Sequence, residues 1–355
     1  MPTTKHSSPF KFLDAYHKED KDIFFGRTEE VEELFNRVYQ TNLLLIYGST
    51  GTGKTSIIEC GLGNMFEDTD WLPLQIRRGD NIVVSLEQAL YEKARKKEKL
   101  KNKSINKQVH SLYLDYYKPI YLIFDQFEEL FILGNREEEQ NFFWLLAELL
   151  QDNIQCKILL VMREEYIAHL DQHEKTVPGL FANRFRVERM RREKIEEVIV
   201  KTAVHPNFQI ELDNESIPNL IIQNIADELG QVDLVNLQVY LDRLYQNAKE
   251  KKGSNICFDE PLIAKTGKLE DVLGRFLEDQ LTAINHVMKN NGIRQDDLAL
   301  KILEQLITSQ ETKQSRDTEH IQQALEKQSE HRINADEVKM CIEELISRRI
   351  LKELP

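Results

Sequence analysis

The run Gly48-Ser49-Thr50-Gly51-Thr52-Gly53-Lys54-Thr55 has the residue types needed to hold a phosphate chain. Its three glycines let the backbone take left-handed turns and approach an anion closely. The N–H groups of such a loop, and the positive end of a following helix, face the same point. Lys54 can reach the β- and γ-phosphates, Thr55 can offer its hydroxyl to Mg2+, and Ser56 continues into the helix. The spacing is G-x-x-x-x-G-K-[ST], the P-loop pattern, and it stands after an apolar run and before a helix, as the pattern requires. A second stretch, Phe124-Asp125-Gln126-Phe127-Glu128-Glu129, supplies acids. Asp125 ends an apolar run, where a carboxylate can hold Mg2+ through water. Glu128 and Glu129 follow; either one of them orients or activates an attacking water, or both are acids of a first helical turn. Arg163, just past the apolar run Lys157–Met162, is either a γ-phosphate sensor or a surface arginine.

These side chains need strands that end at one edge and helices that cover the sheet. Leu43–Tyr47 reads as the strand before the P-loop, with a helix from about Gly53 to Leu62 after it. Trp71–Ile76 reads as a second strand. The continuous apolar run Ile120–Phe124 suits a strand buried on both faces of a parallel sheet. Lys157–Met162 is a further strand, and Phe181–Met190, with Arg184, Arg186 and Arg189, is expected as the last. Those three arginines read as a solvated edge, with a phosphate-side contact as the alternative. Thr28 is expected to cap an acidic helix that runs to Tyr39, with Val31, Leu34, Phe35 and Val38 on its apolar face. Helices are expected at 84–116, with a break near Asn102, and at 136–151. The basic run Lys93–Lys99 reads as a solvated helix face, with a partner patch as the alternative. His169 and His173 are four apart but lack the intervening glutamate of a zinc helix motif, so no metal role is assigned to them. Order and spacing together predict an α/β sandwich with a mainly parallel sheet and a ligand crevice at the carboxyl ends of its strands.

Beyond about residue 191 the pattern is helical: 191–203, 215–228, 234–248, 269–290, 296–309, 318–328 and 335–348, with no strong strand signal before the end. The last three helices followed by Arg348–Leu354, read as a first wing strand, outline a winged helix. The second wing strand is missing at Pro355, so the chain is expected to be the front portion of a longer protein, a naturally short ending being the alternative.

The chain has 355 residues, enough for two or three domains, and 41% hydrophobic against 30% charged residues reads as globular rather than disordered. Its net charge of −13 makes it a poor general binder of nucleic acid. Cys60, Cys156, Cys257 and Cys341 are far apart and form no C-x-x-C pair, which suggests reduced thiols. No apolar run reaches the ~18 residues that span a membrane, and Met1–Phe12 has no signal-peptide core. The expected location is cytoplasmic.

Four stretches together resemble a known group: Phe24-Phe25-Gly26-Arg27, the P-loop Gly48–Thr55, Phe124-Asp125-Gln126-Phe127-Glu128-Glu129-Leu130-Phe131, and Met162-Arg163-Glu164-Glu165-Tyr166. They look like the signal-transduction ATPases with numerous domains, the STAND class, in its bacterial branch with a D-Q-F-E-E-L-F signature. The resemblance covers roughly residues 8–190. It implies an AAA+-like P-loop NTPase domain at 28–200, preceded by an N-terminal segment at 1–27. A helical lid at 201–252 and an incomplete winged-helix-like domain at 253–355 would follow. It implies ATP or ADP with Mg2+ as ligands. Phe25, Gly26 and Arg27 would lie at the adenine and ribose side, Gly48–Ser56 around the phosphates, Thr55 and Asp125 at the metal, and Arg163 as first sensor. It implies a switch, ADP-bound and closed at rest, ATP-bound and self-associating once an unknown trigger arrives, in bacterial signalling or anti-phage defence. Gln126 stands where related ATPases place a glutamate, which points to slow hydrolysis. Leu234-Val235-Asn236-Leu237 lacks the proline of the usual lid motif.

Three further functions compete: a DNA-associated ATPase of the origin-recognition type, a scaffold with a purely structural nucleotide, and a small-molecule kinase. Residues 318–355 mix Arg332, Lys339, Arg348, Arg349 and Lys352 with eight acids, a balance that disfavours DNA.

Overall fold

In a computed structural model, residues 8–151, 156–250, 256–291, 293, 297–307, 316–328, 334–348, 350 and 351 are described. The chain divides into two units, Met1–Thr266 and Gly267–Pro355.

The first unit is built on five parallel strands: β1 (Leu43–Gly48), β2 (Leu72–Ile76), β3 (Ile120–Phe124), β4 (Cys156–Arg163) and β5 (Arg184–Arg186). Their spatial order is β2-β3-β4-β1-β5. Every residue of β3 is buried, as its unbroken apolar run requires. The faces alternate with period two. Leu45, Leu74, Leu122, Phe124, Leu160 and Met162 face one layer; Leu44, Ile46, Ile123, Leu159 and Val161 face the other.

The helices of this unit are α1 (Thr28–Gln40), α2 (Lys54–Ser56), α3 (Gly63–Met65), α4 (Ile82–Lys93), α5 (Ile105–Tyr116), α6 (Glu129–Leu133), α7 (Arg136–Gln151), α8 (Arg192–Ala203), α9 (Ile217–Ile225), α10 (Leu234–Glu250) and α11 (Glu260–Thr266). Between α2 and α3 the P-loop helix widens into a π-helix, Ile57–Leu62, a local feature often found at functional sites. Gly61 lies in this turn because α1 packs close: a Cβ there would stand 2.4 Å from Val31 Cγ2. Helices α4, α5 and α7 cover one sheet face, α1 and the P-loop helix the other.

Several expectations change. Thr28 is the first helical residue, and Arg27 holds the cap position. The last strand is three residues, not ten: Pro178 and Gly179 precede it, and only Phe185 of its three residues is buried. Two short strands interrupt the helical region, β6 (Glu211–Leu212) pairing parallel with β7 (Cys257–Phe258).

The second unit holds α12 (Leu269–Asn290), α13 (Leu298–Glu304), α14 (Thr318–Gln328) and α15 (Ala335–Ser347). Ile284, Met288, Ile302, Leu325, Val338, Cys341 and Leu345 form its core. The wing strand expected from Arg348 is replaced, at Arg348, Ile350 and Leu351, by a helix stop. The Ile350 and Leu351 amides both donate to the Leu345 carbonyl, at 2.9 and 3.2 Å, which satisfies an acceptor that a helix end leaves open. The rest of that predicted strand lies outside the described residues. Among the described residues no helix is long and apolar enough to cross a membrane.

Candidate functional site

The parallel register sets Gly48, at the end of β1, beside Arg163 at the end of β4, while β3 delivers Asp125 on the far side of β4. The P-loop therefore opens onto a crevice whose floor carries an arginine and whose far wall carries acids.

Within the loop, Gly51 and Gly53 take φ of +75° and +82°, conformations that a Cβ would strain. Gly48 lies so close to the next chain segment that a Cβ would stand 2.3 Å from the Val187 carbonyl oxygen. The Lys54 ammonium donates to the Gly48 and Ser49 carbonyls, both at 2.9 Å, and Thr52 Oγ1 donates to the Ser49 carbonyl at 3.0 Å. Burial pulls the Lys54 ammonium below its usual range, while Glu128 and Asp125 support its charge. Thr50 is at the exposed tip.

Thr55 Oγ1 donates to Asp125 Oδ2 at 3.0 Å, so the two groups expected at a metal converge. They are hard oxygen donors opening on the crevice, which suits Mg2+. The other oxygen of Asp125 accepts the Gln126 amide at 3.0 Å. Gln126 itself is left-handed, φ +55°, and turns the chain from β3 into α6.

The neighbouring glutamates differ. Glu128 is buried and gives both oxygens to Arg163: Nε lies 3.1 Å from Oε1, and the Arg163 amide donates to Oε2 at 3.2 Å. Glu129 is half-buried and is pushed up to about 7, first by burial and then by the charge of Glu128.

Arg27 is buried deep. Its guanidinium donates to the Thr52 and Glu188 carbonyls at 2.9 Å and pairs with Glu30 at 2.7 Å, bracing the P-loop from behind. Gly26 is left-handed and packs against Val198 and Met190. The ring of Phe25 lies under the Lys201 ammonium, 5.9 Å from its centroid. Ser56 points toward the N-terminal segment, where its hydroxyl accepts the Tyr16 amide at 3.1 Å. That segment continues to α10: the Lys11 amide donates to Gln238 Oε1 at 3.1 Å, and Phe10 meets Tyr245 edge to face.

Two residues escaped the sequence reading. Arg77 follows β2 and sets Nη2 2.9 Å from Asp125 Oδ2; the signal was an Arg-Arg-Gly run directly after a strand, at the edge where ligands bind. Asp233 precedes α10. Its carboxylate lies over the P-loop, so close that a Cβ on Gly51 would stand 1.9 Å from Oδ2, and the Leu234 amide donates to the Gly51 carbonyl at 3.2 Å. No local pattern marks it. Arg78, the residue after Arg77, is structural: it clasps buried Glu138 with two bonds of 2.8 and 2.9 Å and ties β2 to α7. His169 stacks on Phe131 and Tyr166, and His173 on Phe143. The edge arginines are solvated: Arg186 pairs with Glu164 and Arg189 lies 3.7 Å from Asp227.

The family model described as novel STAND NTPase 1 matches residues 9–353. The chain belongs to this NTPase family. Solved structures resemble the STAND NTPase over nearly its whole length. The Walker-type ATPase of Pyrococcus abyssi is 15% identical with a TM-score of 0.52, covering 96% of this chain and 93% of the other. The Aeropyrum pernix ORC2 protein, in its ADPNP-ADP complexes, is 13% identical with a TM-score of 0.53 and covers 93% and 87%. The ORC1 protein of the same organism, in complex with DNA, is 14% identical with a TM-score of 0.50 and covers 93% and 85%. At these identities the likeness is one of fold. The comparison with curated proteins finds no match.

Proposed function

We propose that this STAND NTPase is a regulatory switch that binds ATP or ADP with Mg2+, hydrolyses ATP slowly, and uses the nucleotide state to set the position of a lid formed by residues 201–252. The observation that carries the reading is the seat of α10 on the phosphate loop, where Asp233 and the Leu234 amide touch Gly51. A phosphate chain bound by that loop lies next to the lid's first turn and acts on it directly.

The loop amides and Lys54 bind the phosphates. Thr55 and Asp125 hold the metal, which when bound draws negative charge from the β- and γ-phosphates. Arg163, fixed by Glu128, stands at the crevice floor to sense the terminal phosphate. Glu129 takes a proton from water, and Gln126 in place of a second acid keeps turnover slow. The helical unit from Gly267 onward acts as a separate module, and ATP favours self-association. The resemblance of the four motifs supports a place in bacterial signalling or anti-phage defence, in the cytoplasm.

Calorimetry tests the site. Wild type is expected to bind ADP with Mg2+, Lys54→Ala to lose binding by tenfold or more, about 1.4 kcal/mol, and Asp125→Ala to lose phosphate release. Absence of nucleotide binding in the wild type contradicts the reading.

A second reading, a DNA-associated ATPase, is supported by the ORC1 neighbour, which was determined with DNA. The acidic balance of residues 318–355 and a net charge of −13 rank it lower. A salt-dependent shift of duplex DNA would reverse that order.

A further inference from the structure

Asp125 Oδ2 carries two donors at once, Thr55 Oγ1 at 3.0 Å and Arg77 Nη2 at 2.9 Å. The carboxylate is fixed, with its other oxygen held by the Gln126 amide, and it is buried. Arg77 is the more exposed partner: its side chain is 34% exposed, against 8% for Asp125. The other cations of the crevice are engaged elsewhere, Lys54 on the loop carbonyls and Arg163 on Glu128. The cation bonded directly to Asp125 in the absence of a divalent ion is therefore Arg77, with Lys54 interacting more weakly with the same carboxylate. Arg77 is also the charge that such an ion meets on reaching the Thr55–Asp125 pair.

Resting on the nucleotide reading above, we propose that Arg77 is a built-in counter-charge at the metal position. It lets the site hold a nucleoside diphosphate without a divalent cation, and a divalent cation displaces it from Asp125. The physical reason is charge balance. Without Arg77 the diphosphate faces an Asp125 that has lost its bonded counter-charge, which weakens binding when no metal is present. With Mg2+ present, the ion itself supplies the compensation and Arg77 becomes a competitor. Removing Arg77 therefore weakens diphosphate binding without the metal and leaves it nearly unchanged with the metal, which itself binds more readily. Loss of a purely structural arginine would affect both alike. Arg77 acts through Asp125, so it is a positioning residue.

The test is calorimetric titration of ADP into the full chain, once with excess Mg2+ and once with EDTA, for wild type, Arg77→Gln and Arg77→Lys. In EDTA, Arg77→Gln is expected to weaken ADP binding about tenfold, while with Mg2+ it stays within about threefold of wild type. Arg77→Lys, which keeps the charge, restores most of the binding in EDTA. Titrating Mg2+ into the ADP-saturated chain is expected to give half-saturation at about tenfold lower metal for Arg77→Gln than for wild type. An equal loss in EDTA and Mg2+, or no change in either, overturns the proposal. Failure of wild type to bind ADP under both conditions overturns the nucleotide reading itself, and this proposal with it.

Discussion

Two adjacent glutamates in the crevice have been given different work by their surroundings. Glu128 is consumed by Arg163, through both its oxygens. Glu129 has no such partner in its acidic setting and is pushed up to about 7. Its folded-state value is above its ordinary one of 4.5, so the stability it contributes is fully present below the ordinary value and is lost as pH rises through about 7. Glu129→Gln is therefore expected to melt a few degrees higher than wild type at pH 8 and to match it near pH 4. Thermal melts across that range check it; an unchanged difference at all pH values contradicts it. The same substitution is expected to slow phosphate release about a hundredfold if Glu129 is the base. In the sequence these two acids could only be named as a pair. Their difference arises from Arg163, 35 residues away, and from burial, neither of which has a local signature. The P-loop residues and Asp125 could be named as candidates because their pattern is local: glycines at fixed spacing, and an acid ending an apolar run; the structure brings Thr55 and Asp125 together. Arg77 was not, because its meaning comes from a partner 48 residues on.

At the scale of elements, the hydrophobic patterns were the most readable. Helix α7 spans Arg136–Gln151 as its apolar spacing predicts, and β3 is buried throughout. The pairing of β6 with β7 was not readable, because strands of two residues carry no alternation. The π-turn of the P-loop helix was hidden too, since no residue pattern marks it. The seat of α10 on Gly51 is the contact with most functional weight. Gly51→Ala tests it, since φ there is +75° and the added carbon would stand 1.9 Å from Asp233 Oδ2. The backbone strain alone is worth about 1–2 kcal/mol, and the clash pushes α10 off the loop. The expected result is a lower melting temperature together with faster protease cleavage near residues 226–233. Cleavage at the wild-type rate would mean that α10 does not depend on this seat.

At the scale of the whole molecule, the described residues form two units, the first with a core on each face of its sheet and the second with a core of its own. The first was foreseen from strand order. The second was foreseen only as helices, because the wing strand was inferred from a short mixed run, Arg348–Leu354, in which charge and apolar residues give no clear period. The charge of −13 belongs to the whole chain and, with the helical nature of its second half, favours a regulatory nucleotide site over a duplex-binding engine. The proposed switch must report its nucleotide beyond the loop that binds it. The direct measurement is hydrogen exchange along the chain in three states: without nucleotide, with ADP, and with a non-hydrolysable ATP analogue and Mg2+. The account predicts that the amides at the start of α10, Leu234–Leu237, differ in protection between the ADP and ATP-analogue states, and that Lys54→Ala abolishes the difference. Identical protection of α10 in all three states, with nucleotide shown to be bound, would contradict it.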